Sequence, residues 1–211
     1  PKGEDFMMSE KQRAAENRDM ADKKQMQEMA LLSGADKYGI YQLKDDPELS
    51  RLRFKGTWSL KQAGILKENA EAVAVKPENY DLVYVGDLSE LKAKTAGLYT
   101  QEDTLHALFE EFNIYQPGDY TGHPLSVGDI VVLREEGKNS AHYVDTTGYT
   151  EMPHFIRMLQ NRKKKEQETD RARSEGRQMR KESLREKLAE RKDLAADAGK
   201  NHPAKKQERS L

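Results

Sequence analysis

Side chains able to build a core end near residue 159. From Asn161 to Leu211 the only large apolar residues are Met179, Leu184, Leu188, Leu194 and Leu211, scattered among charges. A chain written this way folds as a packed body with a polar extension, because the extension has almost nothing to bury. Leu184, Leu188 and Leu194 make a weak stripe, and the Glu182–Glu186 and Glu186–Glu190 pairs at i,i+4 repel. The expectation is a helix that is extended or fraying, with 196–211 disordered. Charge divides the chain at the same place. Residues 1–159 hold 19 basic and 27 acidic groups, a net of −8, and residues 160–211 hold 17 and 10, a net of +7. An acidic body with a basic tail offers two surfaces to two kinds of partner.

Several function classes are excluded by composition. The 211 residues contain no cysteine, which removes disulfides, iron–sulfur clusters, thiolate zinc sites and cysteine nucleophiles. No apolar run approaches the roughly 18 residues of a membrane-spanning helix, and no basic segment followed by a long apolar stretch opens the sequence. A cytoplasmic protein is the expectation.

Three regions emerge: a helical segment over 1–35, an α+β body over 36–159, and a basic helical tail over 160–211, partly disordered. Residues 7–32 lack Gly and Pro and are rich in Ala, Glu, Gln, Lys and Met, which predicts a helix with Ser9 or Asp19 as its cap. Its apolar content is mostly Met8, Met20, Met26 and Met29, a stripe suited to irregular packing. In the body, 38–43 reads as a strand, and Leu52 and Phe54 alternate with arginines as a second extended piece. Thr57 reads as the cap of a short helix ending at Gly64, while 65–76 fits helix or strand. The segment 80–85 alternates between faces, with Tyr80, Leu82 and Tyr84 on one of them. Leu105, Leu108, Phe109 and Phe112 lie at helical spacing after Asp103 or Thr104 as cap, with Asn113 as the stop. The run 130–133 has the length of a central strand, and 135–139 turns it back into 141–146 as a hairpin. One more helical turn is predicted around Phe155, Ile156, Met158 and Leu159. The resulting fold class is α+β, a small antiparallel or mixed sheet of four or five strands with packed helices, flanked by an N-terminal helix and a long charged C-terminal helix. Its predicted core is Tyr41, Phe54, Trp58, Leu82, Tyr84, Leu105, Phe109, Phe112, Val131, Leu133 and Tyr143.

Few residues suggest chemistry. The loop around Asp119, His123 and Ser126, with Asp129 following, gathers carboxylates, an imidazole and a hydroxyl, so Asp119, His123 and Asp129 are the candidates if the protein is an enzyme. The competing reading is a turn in which His123 fixes a tight Gly-Pro loop, and that reading is preferred. His142 and Asp145 fall on opposite faces of one strand and form no dyad. His106, His123, His142 and His154 lack the paired spacing of metal ligands, so neither a metal nor another cofactor is expected. Phosphate-binding, dinucleotide-binding and serine-hydrolase motifs are absent. In the tail, Arg162, Lys163, Lys164, Lys165, Arg171, Arg173, Arg177 and Arg180 are the candidates for contact with a partner or with nucleic acid, although no aromatic residue is there for stacking.

The string TLHALFEEFNIYQPGDYTGHPLSVGDIVVL, preceded by YGIYQL, LRFKG and ENYDLVYVGDL and followed by AHYVDTTGYTEMPHF, resembles the YodL-like domain family over residues 38–155. Its most specific parts are the Asn-Tyr-Asp-Leu-Val-Tyr segment, the Phe112-Asn113 helix end, and the segment from Gly122-His123 to Asp129. Where the family pattern has serines after the Gly-His pair and before the Asp, this chain has Pro124 and Gly128. The resemblance implies a conjugative or other mobile element of Gram-positive bacteria. That context, the absence of a convincing catalytic set and the two-signed charge layout together lead to the expectation of a non-enzymatic interaction protein that binds and inhibits a host defence protein, with a CRISPR effector nuclease as the first candidate. The alternatives are a metal-assisted nuclease acting on guide RNA or DNA through His123 with Asp119 or Asp129, and a scaffold or accessory factor for conjugative DNA transfer.

Overall fold

The computed structural model describes residues 10–66 and 75–200; the possible cap Ser9 and most of the ambiguous 65–76 stretch lie outside them. Two compact units are present, Pro1–Arg162 and Lys163–Leu211.

The first unit is built on a five-stranded antiparallel sheet in the order β2-β1-β3-β4-β5. Its strands are β1 (Lys37–Leu43), β2 (Tyr80–Asp87), β3 (Ile130–Glu135), β4 (Lys138–Val144) and β5 (Tyr149–Glu151). The apolar run of β3 belongs at the centre because both of its faces are covered. Ile130 and Val132 join Tyr41, Leu60, Tyr143 and Phe155 on one side, and Val131 and Leu133 join Ile40, Leu88, Leu108 and Phe112 on the other. The β3–β4 hairpin turns at Glu136 and Gly137, both with positive φ (50° and 79°), the geometry that matches the right-handed strand twist.

Helices close both faces. On the first, α1 (Glu10–Leu32) places Leu31 and Leu32 in the core, and the start of α5 (Pro153–Lys200) adds Phe155, Ile156 and Leu159. The buried Tyr41 hydroxyl donates to Glu28 Oε1 at 2.8 Å, and the Arg162 guanidinium pairs with the same carboxylate oxygen. On the second face lie α3 (Leu88–Lys94) and α4 (Gln101–Ile114). α4 begins with a capping box in which the Thr100 side chain accepts from the Asp103 amide and the Asp103 carboxylate accepts from the Thr100 amide.

Several expectations are corrected. Asp19 lies inside α1, not at its start. The stretch around Leu52 is a 3-10 turn (Pro47–Leu52) introduced by Asp46 and Pro47, not a strand. Thr57 is the first residue of α2 (Thr57–Gln62), and its cap position is Gly56. The cap of α4 is Thr100, and Asn113 lies within that helix.

Phe54 and Trp58 are 64 % and 71 % exposed, so neither is core. α2 buries Thr57 and Leu60, which turns Trp58 outward. Phe109 sits at the edge of the stripe that α4 buries and is 38 % exposed. Tyr84 shares no face with Leu82, because β2 bulges at Val83: Ile40 pairs with Tyr84 and Tyr41 with Leu82. One extra residue reverses the alternation, so Tyr80 and Leu82 face the first core while Val83 and Tyr84 face the second.

In the second unit the helix continues to Lys200, through positions 196–200 that were expected to be disordered. Ala195, Ala196 and Ala198 favour helix there, and no proline interrupts 154–202.

Candidate functional site

The loop from α4 to β3 carries the candidate residues, and the sheet holds it through one side chain. Gln42 is a polar residue among the buried positions of β1, 4 % exposed, and its amide is fully engaged. Its Oε1 accepts the His123 amide at 3.0 Å, and its Nε2 lies 2.8 Å from His123 O, 3.1 Å from Asp129 Oδ2 and 3.0 Å from the Tyr120 hydroxyl. The Tyr120 hydroxyl donates to His123 O at 2.6 Å. No Cβ fits at Gly122, since it would stand 2.5 Å from Gln42 Oε1 and 2.6 Å from the Tyr120 hydroxyl.

Asp129 closes the loop at the entry to β3. Its Oδ2 accepts the Ser126 amide at 2.9 Å, its own amide donates to Ser126 O, and Gly128 takes up the positive φ (106°) that the turn requires. Asp129 is only 3 % exposed. Burial pushes its carboxyl up to about 6, against the opposing pull of the Ser126 amide, His123 and the Gln42 amide.

The imidazole of His123 has a defined tautomer. Nδ1 lies 2.8 Å from the carbonyl oxygen of Pro124, which can only accept, and 3.1 Å from Gln42 Nε2, whose two hydrogens have His123 O and Asp129 Oδ2 to go to; the hydrogen of the neutral ring is therefore assigned to Nδ1. Nε2 is then a bare acceptor, and it faces Asp129 Oδ1 at 3.7 Å. Both residues line a cavity of about 270 Å3 together with Leu43, Asp45, Arg53, Phe54, Val127 and Gly128. Arg53 is held at its rim by Asp45, 2.9 Å away.

Phe54 has positive φ (56°), a conformation costly for a bulky residue, and it forms the wall between this cavity and a second one. The second is a groove of about 500 Å3 lined by Phe54, Phe109, Leu125, Val127, Val144 and Tyr149, with His106 and Asp145 among its polar residues.

Of the three catalytic candidates, His123 and Asp129 come together and Asp119 does not. Asp119 is exposed, and its charge helps to raise the Tyr84 hydroxyl, whose pKa is lifted first by burial. The Ser126 hydroxyl donates to Pro124 O at 2.7 Å. His142 is buried beside Ser140, and His154 is buried 2.9 Å from Val75 O. Asp145 is engaged with Thr57, Thr146 and Thr150. Among the described residues no three His, Asp or Glu side chains converge as metal ligands. Gln42 and Tyr120 were missed from the sequence; a lone glutamine inside an apolar strand was the available signal.

The basic candidates divide between the units. Arg162 belongs to the first unit and is half-buried against Glu28. In the second, Lys163 is half-buried, while Lys164, Lys165, Arg171, Arg173, Arg177 and Arg180 are exposed, with Arg171 in an exposed pair with Glu175. No helix among the described residues is long and apolar enough to cross a membrane.

No curated protein and no solved structure matches this chain. The model of the YodL-like domain matches residues 37–155, more than half of the chain. That stretch runs from the first residue of β1 to the first turn of α5 and takes in all five strands, the Gln42–His123–Asp129 cluster and both cavities. The chain belongs to the YodL-like domain family.

Proposed function

We propose that this YodL-like domain protein is a non-enzymatic interaction protein of a mobile genetic element, one that binds a host defence protein and blocks it, with a CRISPR effector nuclease as the first target. The observation that carries this reading is the pair of exposed aromatic side chains, Phe54 and Phe109, across an open apolar groove of about 500 Å3. Exposed apolar grooves of this kind are partner sites more often than they are incidental surface. Residues 36–157 carry 20 acidic and 13 basic groups, which suits a partner surface that is itself basic because it binds nucleic acid.

The test is to incubate the full chain with a guide-loaded effector nuclease, with and without EDTA, and to follow target cleavage and guide integrity on a gel. Cleavage blocked at stoichiometric ratio, with intact guide and relief by Phe54→Asp, is the expected result. Normal cleavage at saturating protein would sink the proposed target.

One observation favours a second reading, a nuclease. Asp129, with its pKa raised into the range useful for proton transfer, lies 3.7 Å from the His123 imidazole, and both line one cavity. That reading requires turnover, seen as a shortened guide or target strand, and its loss in His123→Ala with folding retained.

A further inference from the structure

The geometry points to a guanidinium-binding pocket: we infer that the cavity beneath Phe54 takes an arginine side chain from a basic partner, held between Asp129 Oδ1 and His123 Nε2. This deepens the proposed function and rests on it for the partner's basic character.

When the His123 ring is neutral, two acceptors face each other with no hydrogen between them. Nδ1–H of His123 is committed to Pro124 O, which leaves Nε2 bare, and both bonds to the Asp129 carboxylate, from the Ser126 amide and the Gln42 amide, go to Oδ2. Oδ1 and Nε2 stand 3.7 Å apart and both border the same cavity of about 270 Å3. What completes such a pair is a planar donor with several N–H groups entering from the cavity. Guanidinium supplies five donors in one plane, is weakly hydrated, and stacks on aromatic faces.

The rest of the lining fits that group. Phe54, held out by its positive φ, offers a ring for cation–π stacking at the mouth, and Leu43 and Val127 offer apolar walls to the methylene stem. The Arg53 guanidinium in the lining is paired with Asp45 and so contributes little repulsion. A compact, strongly hydrated ammonium gains less here, since it cannot stack and loses more solvation.

The probe is N-acetyl-arginine methylamide, titrated into the full chain while the His123 ring nitrogens and the Phe54 ring protons are followed by NMR, beside the lysine and norleucine analogues. The expected result is a saturable shift of the Nε2 resonance with the arginine compound, affinity at least several-fold weaker with lysine, and no shift with norleucine. Asp129→Asn keeps an oxygen for Ser126 and Gln42 but turns an amide donor toward Nε2, so it abolishes the shift. Phe54→Ala weakens binding several-fold, and Trp58→Ala, which lines neither cavity, leaves it unchanged. Equal affinity for lysine and arginine, or saturation that persists in Asp129→Asn, overturns the assignment, as does a flat titration. Nuclease inhibition without an arginine titration removes only this inference, and an arginine titration without nuclease inhibition removes only the proposed target.

Discussion

The Asp145 carboxylate caps a helix that begins 88 residues before it in the chain: its Oδ1 accepts the Thr57 amide at 3.1 Å, and its Oδ2 accepts the Thr57 hydroxyl. The residue at the cap position of α2 is Gly56, which has no side chain to do this, and a Cβ there would stand 2.6 Å from Asp145 Oδ1. The end of β4 and the start of α2 are thereby fixed to each other, and the segment that presents Phe54 is anchored on its C-terminal side.

Asp145→Ala is expected to lower stability by about 2 kcal/mol, the upper range for loss of a helix cap. In a domain of this size that is a melting temperature lower by roughly 4–8 °C, measurable by calorimetry. Burial alone would raise the Asp145 carboxyl, but the bonds from Thr57, Thr146 and Thr150 outweigh it and hold the pKa below its usual value. With a depressed folded-state pKa, the cap contributes above the unfolded pKa and is lost as the pH falls through the folded one. An unchanged melting temperature in the variant would show that the cap is dispensable.

Glu28 is the acceptor that ties α1 and the start of α5 to the sheet, through the Tyr41 hydroxyl and the Arg162 guanidinium. Glu28→Ala leaves the buried Tyr41 hydroxyl without this acceptor and removes the Glu28 carboxylate from the half-buried Arg162. A loss of about 1–3 kcal/mol is expected in urea unfolding. Tyr41→Phe, which removes donor and need together, should cost less than Glu28→Ala; the reverse order would contradict this account.

The carboxyl of Asp129 is raised from 3.8 to about 6 by burial. A raised folded-state pKa means that the folded protein binds the proton more tightly, so stability is greatest below the unfolded pKa and falls as the pH rises through the folded one. Asp129→Asn cannot ionise and gives Nε2 of His123 a donor. Its stability relative to the parent should therefore climb between pH 4 and 6 by roughly 3 kcal/mol and level off above that. Paired urea titrations at pH 4, 5, 6 and 7 measure it, and a constant difference across that range would mean that Asp129 is not raised.

No room exists for a side chain at Gly86, where a Cβ would overlap Cζ of Tyr38, part of a rigid ring packed against Tyr84 and Phe112. Gly86→Ala is expected to cost about 1–3 kcal/mol through overpacking. Chemical denaturation decides it; a neutral variant would imply that the Tyr38 ring moves freely.

The half-buried Lys163 and the exposed Lys164 and Lys165 of the second unit lead to a salt-dependence test. If the tail lies along duplex DNA, replacing Lys163, Lys164 and Lys165 by Gln should flatten the dependence of log K on log salt by about 0.9 for each phosphate no longer neutralised. Binding that is absent at low salt, or a slope untouched by the triple change, would exclude the phosphate role for these lysines.

The legible parts of this protein were those set by local rules. The α+β class, β1, the β3–β4 hairpin and the helix around Phe112 could be read from periodicity and turn chemistry, because a central strand needs apolar residues on both faces and a surface helix needs a stripe. The pairing of His123 with Asp129 was within reach because both belong to one short loop. Gln42 was not, since its partners lie 78 to 87 residues away.

By itself, the sequence determined where the body ends and the polar helix takes over, for burial requires apolar residues and none of weight follow Leu159. Only the tertiary structure decided which way particular side chains face. The bulge at Val83 put Tyr84 on the opposite face from Leu82, and the capping of α2 by Asp145 left Trp58 outside. The Pro124 carbonyl chose the His123 tautomer. These outcomes depend on the exact placement of a partner group or on one residue of register, and neither leaves a periodic trace in the chain.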